Sequence, residues 1–176
     1  RAGRAGAAAL PPRLCECAGD GALAARAGLD AREREVAARL PWTRRLDPAL
    51  APRVVAERER FVLKRSWDYG GKSVQLGAET APDAWERAVA AAAADLRGGG
   101  FVAQERVFTP RRPATRIAPE GVARGQLHRD LSTYCGLGPS RPDGSVVRAA
   151  ASPIVNILGG GGLAPVVPED VLEGLR

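Results

Sequence analysis

The sequence contains no methionine, a single histidine and only three cysteines. Cys15 and Cys17 form one C-x-C pair while Cys135 stands alone, so a disulfide framework and a Cys/His zinc site both lack the partners they need. Nothing in the sequence activates a thiol as a nucleophile beside His128, the one histidine. We therefore expect reduced cysteines and a cytoplasmic protein.

Long apolar runs are also absent, and no stretch approaches the roughly 18 residues that a membrane-spanning helix needs. Residues 1–9 contain no apolar stretch of the signal-peptide type and lead directly into Pro11 and Pro12. We expect no membrane partner. Because methionine is missing, we interpret the sequence as a fragment or a truncated reading frame.

Aromatic residues make up only 5% of the chain, whereas basic residues exceed acidic ones and give a net charge of +6. A basic surface for nucleic acid is one interpretation of this charge. However, arginines alternate with glutamates at 32–35 and 57–60, and few aromatic rings are available to stack on bases. We favour a protein without a nucleic-acid partner and keep a basic anion- or nucleic-acid-binding domain as an alternative.

The order of predicted helices and strands favours an α+β fold of antiparallel sheets with covering helices. Residues 1–28 are rich in Ala, Gly and Arg without a period, which predicts a poorly ordered lead-in. Residues 29–59 are predicted to form a helical connector, in which Asp30 caps a helix that ends at Leu40. Residues 60–176 are predicted to form the main domain.

Within that domain, the clearest helix is predicted at 82–96, with Trp85, Ala88, Val89 and Ala92 on one stripe. It should cover one face of a sheet in which the strand 61–64 pairs antiparallel with 73–77. Further strands are predicted at 101–104, 126–134, 145–149 and 154–157, and 126–134 is expected to pair antiparallel with 145–149. A Pro- and Arg-rich excursion is predicted at 109–125 and a closing helix at 168–175.

Lysine is the rarest cation of the chain, and its only two copies, Lys64 and Lys72, flank the pair Gly70–Gly71. Lysine carries a compact charge that suits a phosphate oxygen, and glycine amides can approach phosphate closely. Asp68 adds a carboxylate oxygen of the kind that Mg²⁺ prefers. The pattern indicates a phosphate-binding loop, with a plain β-hairpin and glycine turn as the alternative.

This loop is not a P-loop, although Gly71-Lys72-Ser73 has the right ending. The first glycine of that motif would fall at Ser66, and the residues that follow are too few and too strand-like to form the required helix. The glycine pattern of protein kinases is absent from the sequence as well.

An apolar strand ending in lysine, an acidic residue four positions on, paired glycines and a returning strand resemble the circularly permuted ATP-grasp family. Eukaryotic glutathione synthetase and glutathionylspermidine synthetase belong to this family, and the similarity is closest to its uncharacterised bacterial members. It continues in order through Phe101–Val107, which resembles the hinge strand of the family, and then through Asp130–Tyr134, Val147–Arg148 and the segment 154–162. The resembling part covers roughly residues 40–170.

The resemblance implies the ATP-binding C-terminal part of an ADP-forming carboxylate–amine ligase that works through an acyl phosphate. It implies ATP and Mg²⁺ as cofactors, with an unidentified acid and amine as substrates. Lys64 would contact the α- or β-phosphate, Asp68 would hold Mg²⁺, and Arg148 would neutralise the γ-phosphate or the acyl phosphate. The other implied nucleotide-binding positions are Gly70, Gly71, Lys72, Gln104, Glu105, Val107, Asn156, Gly160 and Gly161. We expect the side chains of Lys64, Asp68, Glu105 and Arg148 to point into one cleft.

The chain departs from the family pattern in two places. Arg65 stands where many members have proline after the strand lysine, which changes the stiffness of the loop. Residues 1–60 contain nothing like the family's Glu-x-Asn magnesium pair, since Asn156 is the only asparagine. A catalytically degenerate ATP-grasp fold is therefore the alternative to an active ligase.

Overall fold

The computed structural model describes residues 24, 27–119, 121–135, 142–157, 159–166 and 173. The fold is α+β, and the chain divides into two compact units, Arg1–Val107 and Phe108–Arg176, each with one four-stranded antiparallel sheet. The predicted lead-in, residues 1–28, lies almost entirely outside this description. None of the described helices is long and apolar enough to cross a membrane.

In the part that the structure describes, the first unit combines α-helices with the four strands of its sheet. In chain order these are α1 (Ala31–Arg39), β1 (Thr43–Arg45), α2 (Ala51–Ala56), β2 (Phe61–Arg65), β3 (Gln75–Leu76), α3 (Pro82–Ala94) and β4 (Phe101–Glu105). The sheet order is β1-β4-β2-β3, with every neighbouring pair antiparallel. The predicted antiparallel pairing of 61–64 with 73–77 is confirmed, although β3 is shorter than expected.

Helix α1 begins at the predicted cap. The Asp30 carboxylate accepts a hydrogen bond from the Glu33 amide at 2.9 Å, and the Glu33 carboxylate accepts one from the Asp30 amide at 2.8 Å. Such a reciprocal pair satisfies two amides that the first helical turn leaves unpaired. Ala37 is the buried residue of this helix, whereas Val36 and Leu40, which were expected on the same apolar face, are exposed.

The core of the first unit lies between the sheet and the helices α2 and α3. Trp85 of α3 is fully buried, and its indole Nε1 donates a hydrogen bond to the carbonyl oxygen of Val54 at 3.0 Å. The stripe predicted for α3 is confirmed as the buried side of that helix. The other main core residues are Leu46, Phe61, Leu63, Val89, Ala92, Ala93 and Ala103. Since β1, α2 and their connections supply part of this core, the unit begins before the predicted boundary at residue 60.

An ionic cluster fixes the end of β2 just before the glycine loop. Asp95, directly after α3, accepts hydrogen bonds from Arg97 at 2.9 Å and from Arg65 at 2.5 Å. Arg97, and then Arg65, hold the pKa of Asp95 far below its usual value. The Arg65 guanidinium also lies 4.6 Å from the centre of the Phe101 ring. Arg65 is therefore a structural anchor between β2, α3 and β4.

The second unit is an antiparallel meander of β5 (Arg112–Ala118), β6 (Gly121–Cys135), β7 (Pro142–Ala150) and β8 (Gly162–Pro165). The predicted pairing of 126–134 with 145–149 is confirmed by the register of β6 and β7. The segment 109–125 was expected to be an excursion between strands, but 112–118 is itself a strand that pairs with the start of β6 in a hairpin. Pro113 is tolerated there because β5 is an edge strand.

The expected strand at 154–157 is also wrong. These residues belong to the loop between β7 and β8, where the amide of Gly161 donates to the carbonyl of Asn156 at 3.0 Å. A Cβ at Gly161 would lie 2.6 Å from that carbonyl oxygen, so the close backbone approach requires glycine. The strand forms after this turn, as β8. The helix expected at 168–175 falls almost entirely outside the described residues.

Candidate functional site

Strand alternation divides the side chains of the first sheet between two faces. Phe61, Leu63 and Ala103 pack in the core beneath α2 and α3. Lys64 and Gln104 follow Leu63 and Ala103 directly along their strands, so they lie on the opposite face. The sheet therefore presents Lys64 on the side that α2 and α3 leave uncovered.

Three polar side chains on this face form a continuous hydrogen-bonded chain across the strands. The Nζ of Lys64 donates to Oε1 of Gln104 at 2.5 Å, and Nε2 of Gln104 donates to Oγ1 of Thr43 at 2.9 Å. The Thr43 hydroxyl in turn donates to the carbonyl of Pro41 at 2.9 Å. We call Lys64, Gln104 and Thr43 the polar relay.

Lys64 is a cation in a partly desolvated position. Burial lowers the pKa of its ammonium group below the usual value for lysine. Among the described residues, Gln104 is its hydrogen-bond partner, and no carboxylate forms an ion pair with it. Because burial penalises a charge that has no counter-ion, the site favours an anion beside Lys64.

The loop between β2 and β3 is held by its own side chains. The carboxylate of Asp68 accepts hydrogen bonds from the Ser73 hydroxyl and from the Tyr69 amide, the latter at 2.8 Å, and these two contacts lower its pKa. Gly70 and Gly71 both have positive φ angles, 67° and 71°, which few other residues adopt. The Asp68 side chain thus braces a turn that needs both glycines.

Lys72, the other residue of this loop with a side chain predicted at the phosphates, is exposed. The ammonium of Lys72 lies 4.5 Å from the centre of the Tyr69 ring and 3.4 Å from its hydroxyl.

Within the described part of the chain, no group of three or more His, Cys, Asp or Glu could hold a metal ion. Asp68 alone, with both oxygens engaged in the loop, does not make a dedicated magnesium site, and its role as a ligand stays a prediction.

The hinge residues do not share one face of the sheet. Glu105 pairs with Phe61 in the register, which places its side chain on the helix side, where Arg60 lies 3.5 Å away. The prediction that the side chains of Lys64 and Glu105 point into one cleft is therefore wrong, because residues 104 and 105 alternate. Gln104 is the hinge residue that contacts Lys64, while Val107 is exposed beyond the end of β4.

The predicted residues of the second unit lie on β7 and in the loop that follows it. The guanidinium of Arg148 pairs with both oxygens of Asp130, at 3.0 and 2.6 Å, and this carboxylate raises the pKa of Arg148. Asn156, Gly160 and Gly161 form the turn before β8. Lys64 belongs to one unit and Arg148 to the other, so their predicted convergence stays a prediction.

A second candidate site is a groove of about 620 Å³ on the helical side of the first unit. Its lining is almost wholly apolar, and includes Pro48, Ala51, Val55, Val89, Ala90 and Ala93. Glu86 is the charged residue among its lining. A groove of this composition does not suit a phosphate, and it lies across the sheet from Lys64.

Thr43 is the site residue that sequence reasoning missed. It lies within residues 29–59, which were expected to form a helical connector, and no local pattern predicts that its side chain is buried in a polar contact. Only its pairing with Gln104 in the β1–β4 register reveals the contact.

Comparison of the chain with protein-family models and with curated proteins finds no match.

Proposed function

We propose that the first unit binds the phosphates of ATP, as the nucleotide-binding part of an ADP-forming carboxylate–amine ligase of the ATP-grasp type. The observation that carries the proposal is Lys64, a half-buried cation with no carboxylate partner among the described residues. The loop that follows Lys64, between β2 and β3, contains two glycines with positive φ angles. Both features suit an anionic ligand.

Phosphoryl transfer needs positioning and charge neutralisation more than covalent help from the protein. An ammonium group has three donors, of which Gln104 takes one, so Lys64 keeps donors for phosphate oxygens. In the proposed reaction, a substrate carboxylate takes the γ-phosphoryl group and ADP leaves. An amine then displaces phosphate from the acyl phosphate and forms the amide.

One observation supports the alternative of a degenerate ATP-grasp fold. Asp130 already neutralises Arg148, so Arg148 would have to exchange or share that partner to meet the γ-phosphate. Phosphate release in the presence of candidate acids and amines separates the two cases. An active ligase releases phosphate only when both substrates are present, whereas a degenerate fold binds ATP without turnover.

Titration with Mg-ATP and with an oligonucleotide, each at two salt concentrations, tests nucleotide binding. We expect saturable one-to-one binding of Mg-ATP with a weak salt dependence, because Lys64 meets phosphate in a partly desolvated site. A general basic surface would instead bind both polyanions, with affinities that fall steeply as salt is raised. The second pattern would remove the basis for the proposed function.

A further inference from the structure

We propose that Thr43 is a positioning residue for Lys64, and that it acts through the side-chain amide of Gln104. The inference rests on the proposed function, because that function assigns Lys64 to the phosphates of ATP. It concerns a residue on β1, a strand that precedes the lysine loop. The hydrogen bonds of the polar relay carry the inference.

The direction of each hydrogen bond in the polar relay is fixed by chemistry. An ammonium group can only donate, so the atom of Gln104 that faces Lys64 must be its carbonyl oxygen. The amide NH₂ of Gln104 then faces Thr43, whose hydroxyl oxygen accepts. The Thr43 hydroxyl proton goes to the carbonyl of Pro41, which can only accept. Only one arrangement of donors and acceptors satisfies all three contacts.

Thr43 is the end of the polar relay whose position is fixed by the sheet. Thr43 is 6% exposed and lies directly opposite Gln104 in the β1–β4 register. Lys64 lies diagonally across from Gln104 on the neighbouring strand, because Val62 is the residue opposite Gln104. The relay therefore spans three adjacent strands and ends in a nearly buried hydroxyl.

A fixed amide matters because the lysine side chain has many rotamers. Ordering a long side chain when a ligand binds costs conformational entropy, and a preformed acceptor reduces that cost. Without Thr43, the amide of Gln104 loses the acceptor that sets its orientation. Lys64 would then keep its charge but lose its fixed position.

The test compares Thr43→Val, which keeps the shape but removes the hydroxyl, with Thr43→Ser, which keeps the hydroxyl. Isotope labelling at the ε-carbon of lysine gives two side-chain signals in the NMR spectrum, one from Lys64 and one from Lys72. We expect Thr43→Val to shift the Lys64 signal and leave the Lys72 signal in place. Thr43→Ser should restore the wild-type position.

Mg-ATP affinity provides the second readout. We expect Thr43→Val to weaken binding by about two- to tenfold, the effect of one neutral hydrogen bond, and Thr43→Ser to bind as wild type does. In a Lys64→Met background, Thr43→Val should cause no further loss, because the two residues act as one unit. Urea unfolding of each variant verifies that the variants compared are folded.

An unmoved Lys64 signal in folded Thr43→Val overturns the inference, whatever the ATP affinity. Additive losses in the double variant overturn it as well, because Thr43 would then act independently of Lys64. If the wild-type protein fails to bind Mg-ATP while Thr43→Val still shifts the Lys64 signal, the proposed function fails. The relay is supported in that case as the device that positions the lysine.

Discussion

Replacing Lys64 by methionine is expected to weaken Mg-ATP binding by about ten- to hundredfold. Methionine keeps an unbranched side chain of similar length but removes the charge. The lost contact is a hydrogen bond between two charged groups, typically worth about 1.5–3 kcal/mol, and partial burial of Lys64 limits competition from water. Calorimetric titration of both proteins with Mg-ATP measures the difference directly.

Arg87→Met is the matched control for this substitution. It removes the same unit of charge from a side chain that is 71% exposed on α3, in an ion pair with Asp83. A solvated charge of this kind contributes only screened, long-range attraction, so its loss should change affinity little. Equal losses for the two variants would contradict the assignment of Lys64 to a phosphate site.

Replacing Trp85 by alanine is expected to destabilise the protein by about 3–5 kcal/mol. Its side chain is fully buried among α2, α3 and the sheet, and its loss leaves a cavity and an unpaired carbonyl at Val54. Since total folding stability is typically about 5–15 kcal/mol, this loss is a large fraction of it. Urea-induced unfolding followed by circular dichroism measures the change.

Two variants separate the contributions of packing and hydrogen bonding at Trp85. Trp85→Phe keeps most of the apolar contact but leaves the Val54 carbonyl without its donor, which should cost about 1–3 kcal/mol. Trp67→Ala removes the same ring from a position that is 64% exposed and should have a much smaller effect. A loss at Trp67 as large as that at Trp85 would show that the core is placed wrongly.

Local sequence patterns predicted the features whose causes are local. The spacing of Trp85, Val89 and Ala92 gave the buried side of α3, because helical periodicity alone determines it. Asp30 marked the start of α1, because a cap and its partner lie within one helical turn. The strand–glycine loop–strand pattern around Lys64 was also local, since a hairpin pairs neighbours in sequence.

Features that depend on distant pairing were missed or misplaced. The short segment Thr43–Arg45 becomes a strand only because β4 lies beside it, about sixty residues later in the chain. The hairpin of β5 and β6 was hidden by Pro113 and by its arginines, whose exposed side chains give no apolar alternation. The apolar run at 154–157 predicted a strand, but the backbone turns there to reach β8.

The same limit explains the error at the candidate site. Gln104 and Glu105 are adjacent in sequence, and the family resemblance implied roles for both. A one-residue step in a strand reverses the face of the sheet, so only one of them can share the face of Lys64. The register assigns that position to Gln104 and leaves Glu105 beside Arg60.

The most direct test of the central claim is the pKa of Lys64 measured by NMR with and without Mg-ATP. The lysine signal that is missing from Lys64→Met identifies the group. Burial should keep the pKa below the usual lysine value in the free protein, and a bound phosphate should raise it, because an adjacent anion favours the ammonium form. A Lys64 signal that titrates identically in both states, while nucleotide is bound, would contradict the claim that this lysine contacts phosphate.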